Sequence, residues 1–337
     1  MSPTFVIGSL TLYKSAVVIA LGAAACFSLF YALYTSHGGL GAAAWLFASL
    51  DLVLSVLFSR LLHYYCHSEQ YASFGAALGN YSSGGYVIVG IVPAAYLAAL
   101  ITSLCGLTRN RARLLDCFAP GALLAVVFIR LSALFNSTCR GKVVVTTPSL
   151  QRLPIAASVV SGGGAVEYRF ATFFVEAVLI FAAFLLALRF FFRRRRREMR
   201  AGQPRSGNVA LIALLMYSAV EIVSDSTRYD SSFLPINGFV SVGQIAAGVC
   251  VLIVLVIYSV RSVRARGLRP WHWAIWICWF LALAGSGICE YLVQRHGDWY
   301  LGCYAGMSLG CLVMALLPYA AYLTVCRKKR RKKAAAE

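Results

Sequence analysis

An all-helical, polytopic integral membrane protein is the fold class that this sequence predicts, and three observations predict it. Of the 337 residues, 60% are hydrophobic and only 13% are charged, with a mean hydropathy of +0.74. A water-soluble domain of that length has too little interior for so much apolar side chain, so most of the chain has to be solvated by lipid. Apolar runs recur at the length that a hydrocarbon core demands, roughly 20 residues. The cations are also confined. Of 31 Lys and Arg, 22 lie in the segments Arg109–Arg113, Arg189–Arg205, Arg261–Arg269 and Arg327–Lys333, and the loops between them are nearly neutral. Cationic loops stay in the cytoplasm, which predicts an N-terminus outside and a C-terminus inside.

Nine spans follow in order, near 14–34, 41–64, 85–107, 116–136, 167–190, 208–226, 237–260, 271–294 and 299–326. Lys14 alone precedes the first, and no small-residue cleavage box follows it, so it reads as a retained helix rather than a cleaved leader. Two outside connections are long. Residues 66–84, "CHSEQYASFGAALGNYSSG", are rich in Gly, Ser and Tyr, and 137–166 suffices for a small cap over the outer face. Long loops tend to carry function, so chemistry is expected at that face. There is no internal repeat and no pair of broken helices such as an inverted-repeat transporter shows. The last two spans, after Arg269-Pro270, read as an appendage. The organisation is thus a membrane core over 1–260 with the cap 137–166, then two added helices and a basic cytosolic tail over 261–337.

The net charge of +19 would point to nucleic acid in a soluble protein. Here the runs "RRRRR" (193–197) and "RKKRRKK" (327–333) act as orientation signals that also attract anionic lipid, and no nucleic-acid partner is expected. The eleven cysteines include no CxxC and no Cys/His group at zinc spacing. Most fall inside spans as small core residues. Cys66 and Cys139 both fall near the outer face, where a disulfide is open to them, although spacing gives it no support.

Charges inside spans carry more information. Each costs at least about 2.5–3.5 kcal/mol on insertion scales and so marks function by default. Arg130 lies about 21 Å up its helix at roughly 1.5 Å per residue, in the outer half. Glu176, Glu221, Asp225, Arg228 and Arg60 fall in the same leaflet, with Glu221 and Asp225 four apart on one helical face. Asp51 alone lies nearer mid-depth. One reading is a set of structural ion pairs, such as Arg130 with Glu221. The other is a polar cavity, open to the outer leaflet, for an anionic lipid headgroup. Arginine suits the second because its planar fork binds phosphate through parallel hydrogen bonds and keeps its charge on burial.

From residue 45 to 260 the chain resembles the bacterial prolipoprotein diacylglyceryl transferases. The stretches "LFSRLLHYY" (57–65), "LDCFAPGALLAVVFIRLSALFNSTCRGK" (115–142), "FFVEA" (173–177), "MYSAVEIVSDSTRYD" (216–230) and "SVGQIAAGVCVLIVLVIY" (241–258) carry the resemblance. Arg130 takes the place of the family's signature arginine, Asn136 its second asparagine and Gly141 its late glycine. Glu176, Tyr217 and Arg228 are kept, and Asp225 stands for a glutamate. Val89 stands where the family has histidine, Ala133 and Thr138 replace an asparagine and a glutamate, and Glu221 replaces an arginine. The "SHGGLG" at 35–40 contains the family's His-Gly-Gly letters but falls on the predicted cytosolic side.

The resemblance implies a seven-span core, N-terminus out and C-terminus in, with two C-terminal spans added. It implies residence in the bacterial cytoplasmic membrane and no metal or organic cofactor. It also implies transfer of a diacylglyceryl group from phosphatidylglycerol, or another anionic lipid, to the lipobox cysteine of exported prolipoproteins. Arg130, Asn136, Arg228, Arg60, Glu176 and Asp225 are then the expected substrate-binding residues. A guanidinium already in place offsets charge on the departing glycerol phosphate. Tyr217, Glu221 and His63 are the expected catalytic residues, Tyr217 orienting the headgroup and His63, Glu221 or Glu176 serving as base. Two other readings stay open: a catalytically inactive relative that binds lipid or lipoprotein, and a small-solute transporter.

Overall fold

The computed structural model describes residues 3–7, 10–79, 85–160, 164–201, 207–234, 237–297 and 299–334. A short hairpin, β1 (Pro3–Ile7) and β2 (Leu10–Tyr13), leads into α1 (Lys14–Thr35), α2 (Gly41–Cys66) and the short α3 (Phe74–Gly79). Next come α4 (Ile91–Leu104), α5 (Arg111–Leu131) and the one-turn α6 (Pro148–Gln151). The hairpin β3 (Ala156–Val160) and β4 (Val166–Phe170) precedes α7 (Thr172–Ala201) and α8 (Asn208–Thr227). The strands β5 (Phe233–Leu234) and β6 (Asn237–Ser241) are followed by α9 (Val242–Arg266), α10 (Pro270–Arg295) and α11 (Tyr300–Ala334). Among the described residues, eight helices are long and apolar enough to cross a membrane. Side chains 194–201 and 324–334, which include most of both basic runs, fall outside the described residues.

The third expected span, 85–107, is instead a shorter apolar helix, Ile88–Leu104, whose first turn is 3-10. Pro93 explains the late start. Proline is tolerated only in the first turn, where its missing N–H goes unused, so α4 begins just before it. Elsewhere the boundaries moved for equally local reasons. Asn110 caps α5 by accepting the Arg113 N–H at 3.1 Å, starting that helix earlier than expected. Residues 167–170, expected as helix, pair instead with β3 in antiparallel register. α9 starts at Val242 because Ser241 and Gln244 form a reciprocal capping box.

Two compact units are present, Met1–Ala213 with Thr227–Pro235, and Leu214–Ser226 with Ile236–Glu337. In the first, α5 packs between α1 and α7, and α2 packs on α4. Phe30, Phe47 and Phe118 meet with ring centroids 4.9–5.7 Å apart. A Cβ on Gly121 would come within 2.8 Å of the Cys26 carbonyl oxygen, and one on Gly22 within 2.5 Å of Phe128 Cβ. Helices in lipid gain their contact from close approach, and these glycines permit it between α1 and α5. Asp116 in turn binds the α8 start, accepting N–H bonds from Gly207 at 2.6 Å and Ala210 at 2.9 Å. In the second unit, α11 packs on α9 and α10, around buried Trp279, Met307 and Met314.

Candidate functional site

The site in the first unit is built where α5 ends. A 3-10 turn, Ser132–Phe135, finishes the helix, and the chain folds back on itself. Asn136 Oδ1 accepts from the Thr138 N–H at 3.0 Å and from the Thr138 hydroxyl. Arg140 Nη2 donates to the carbonyls of Ala133 at 3.3 Å and Asn136 at 3.1 Å. Between them Cys139 adopts φ +55°, a left-handed conformation that side-chain-bearing residues seldom take. Its N–H is held by Asp230 Oδ2 at 2.9 Å. The next residues run antiparallel to the segment after α8: Lys142 N–H donates to the Thr227 carbonyl at 2.8 Å, and Tyr229 N–H to that of Arg140 at 3.0 Å. Gly141 has to be glycine here. A Cβ would sit 2.8 Å from Phe170 Cβ and 2.9 Å from its carbonyl oxygen.

This fold-back brings four charges around one thiol. Arg130 Nε lies 2.5 Å from Glu176 Oε1, with side chains only 3% and 0% exposed. Arg130 Nη1 also lies 3.6 Å from Cys139 Sγ. Arg228 Nε pairs with Asp230 Oδ1 at 3.1 Å. Burial pushes the Cys139 thiol up; Arg228 and Arg130 pull against that, and Asp230 and Glu176 reinforce it. Burial also penalises the Asp230 carboxylate, but the charge and hydrogen bond of Arg228, with the Cys139 N–H, outweigh it and hold the group below its usual range. A guanidinium can meet a carboxylate along one edge and a phosphate along another, so two such pairs make a neutral, anion-ready centre.

The other expected residues lie in different surroundings. Arg60, 1% exposed, gives Nε to the Ala77 carbonyl at 2.8 Å and Nη1 to that of Gly85 at 3.0 Å. Tyr71 and Tyr86 lie 5.3 Å from its guanidinium. Arg60 therefore organises the loop after α2. His63 stacks on His67 with centroids 4.3 Å apart. Gly85, at φ +78°, comes so close that a Cβ there would be 2.3 Å from His63 Nε2. Tyr217, Glu221 and Asp225 are buried in α8, in the second unit. Asp225 accepts the Ser241 hydroxyl, and Gln244 Nε2 donates to the Ile222 carbonyl at 3.1 Å.

Several expectations are corrected. Arg130 pairs with Glu176 of α7, a partner that the sequence had not assigned to it. Cys66 and Cys139 are free thiols; Cys139 is turned toward Arg130 instead. Val89 is 4% exposed beside Gly90, where a Cβ would meet the Ser59 backbone at 2.5 Å. Two carboxylates were not singled out in the sequence. Asp230 is betrayed by its spacing, two residues after Arg228. Glu290 is an acid inside an apolar span, and it accepts from the Ser226 hydroxyl and from Gln294 Nε2 at 2.7 Å.

Residues 3–260 match the family model described as prolipoprotein diacylglyceryl transferase. That range takes in Arg130, Cys139, Glu176, Arg228 and Asp230, and it ends before α10 and α11. Comparison with curated proteins gives no significant match.

Proposed function

This chain belongs to the prolipoprotein diacylglyceryl transferase family, and from that premise we propose that it moves a diacylglyceryl group from phosphatidylglycerol to the lipobox cysteine of exported prolipoproteins. The observation that carries the reading is the buried Arg130–Glu176 pair, held against Cys139 by the family's signature loop. In the reaction, the acceptor sulfur forms a bond to the glycerol C3 of the lipid. The C3–O bond to phosphorus breaks, and glycerol phosphate leaves with the electron pair. Arg130 turns one edge of its guanidinium to that phosphate, with Arg228 as the second cation. Charge growing on the leaving oxygen is then met by donors already in place, which is the most productive use of such groups. As Arg130 engages the lipid, Glu176 gives up part of its ion pair and takes the thiol proton. The site works from the outer leaflet of the bacterial cytoplasmic membrane, where exported acceptors arrive.

Two observations favour the second reading, a lipid-binding relative without turnover. Val89 stands at the histidine position and is buried, and Glu221 stands at an arginine position and is buried as well. The discriminating experiment incubates purified protein with phosphatidylglycerol and a synthetic lipobox peptide and reads the peptide mass. A diacylglyceryl mass increase, absent with Arg130→Ala, supports transfer. An unchanged peptide, beside a family member active in the same micelles, selects the second reading.

A further inference from the structure

Arg140 is a buried cation that meets no carboxylate among the described residues. It is 6% exposed, and its Nη2 is taken by two neutral carbonyls. Its guanidinium lies 4.5 Å from the centre of the Phe173 ring, and among the described residues it makes no ion pair. A buried charge compensated only by neutral groups is costly, and an anion removes much of that cost. Arg140 also lines an open groove of about 460 Å³ with Lys14, Asn136, Ser137, Ser158 and Phe135. Lys14 is exposed, and no acidic residue lines the groove. The volume falls within the range typical of ligand sites, roughly 300–1,000 Å³. Two cations, two hydroxyls and an amide face a partly apolar wall.

We propose that this groove binds a phosphate-bearing anion through Arg140 and Lys14, at a site distinct from the Arg130–Glu176 centre. Arg140 supplies the directional fork and Lys14 the mobile point charge. The hydroxyls of Ser137 and Ser158 are the remaining donors, and the Phe135 side takes the glycerol or upper chain of the ligand. The chemistry serves a lipid headgroup and a soluble phosphate ester equally, so the test separates the two. The assignment does not depend on catalysis, and Arg140 and Lys14 are not among the expected transfer residues, although Asn136 is one of those and also lines the groove.

The experiment is native mass spectrometry of the full-length chain in detergent micelles, titrated with phosphatidylglycerol, alone and against excess glycerol phosphate. The wild type is expected to retain one more anionic lipid than Arg140→Gln. The affinity for that lipid falls about tenfold, the equivalent of one charge-assisted hydrogen bond of about 1.4 kcal/mol. Lys14→Gln, an exposed change that leaves packing alone, lowers it less and flattens its salt dependence. Displacement by glycerol phosphate assigns the groove to a soluble ester. Retention against that competitor assigns it to a lipid headgroup. Arg130→Ala is expected to keep the groove ligand. Equal retention by wild type, Arg140→Gln and Lys14→Gln overturns the proposal, and so does loss of this ligand in Arg130→Ala alone.

Discussion

The two units meet buried charge in opposite ways. In the first, Arg130 faces Glu176 and Arg228 faces Asp230, with a thiol between them. In the second, Glu290 takes a hydroxyl from Ser226 and an amide from Gln294, and it forms no ion pair among the described residues. Asp225 takes the hydroxyl of Ser241, the residue that also caps α9. Hydroxyl and amide donors tie one helix to the next and suit a structural acid. A guanidinium held by a carboxylate stays charged and can exchange partners, which suits a site that receives an anion. A buried charge in a span is therefore only a first clue to function. Its partner decides how the clue is read.

The largest expected effect breaks the first arrangement. Arg130→Ala leaves Glu176 charged and buried without its partner, and thermal unfolding in micelles should show a loss of about 3–5 kcal/mol. Glu176→Ala should lose a similar amount. Next is Gly141→Ala, whose Cβ would press on Phe170; overpacking of this kind costs about 1–3 kcal/mol. Transfer should fall with it, because the loop that sets Cys139 must shift. The second arrangement yields a smaller and different result. Ser241→Ala removes a cap worth about 1 kcal/mol, and the peptide-mass assay should show transfer largely intact.

The smallest effect is a pH dependence peculiar to the first arrangement. Asp230 has a depressed folded value, so its contribution is present above the unfolded value of about 3.9 and is lost as pH falls through the lower folded one. Asp230→Asn should reduce stability at neutral pH and remove that share of the acid loss below about pH 4. An unchanged acid limb would mean that Arg228 and Asp230 do not interact in the folded protein.

The helices were legible because hydrocarbon thickness fixes their length, and eight of the nine expected spans appear as long helices. The third span was shortened by Pro93, and the fifth gave up its first residues to β4, because the exposed cap needed a hairpin that hydropathy does not distinguish. At the site, the sequence singled out Arg130 and Glu176 individually, since each is an ionisable group in an apolar run. It did not pair them. Residues 46 apart meet only through the packing of α5 on α7, and Glu221 was chemically as good a partner. Cys139 and Arg140 lie in a polar loop, where a thiol and a cation raise no alarm. Their importance comes from the fold-back that Gly141 permits.

The central claim is that Arg130 and Glu176 form a working centre rather than a pair that merely holds helices together. The double variant Arg130→Met/Glu176→Leu tests it most directly, because replacing a buried ion pair with apolar side chains of similar volume is often neutral or stabilising. Unfolding temperature and lipobox-peptide mass would be measured on the same purified sample. The account predicts a melting point at or above that of the wild type with no diacylglyceryl adduct. A double variant that still modifies the peptide at the wild-type rate would contradict it, and would reduce the pair to scaffolding.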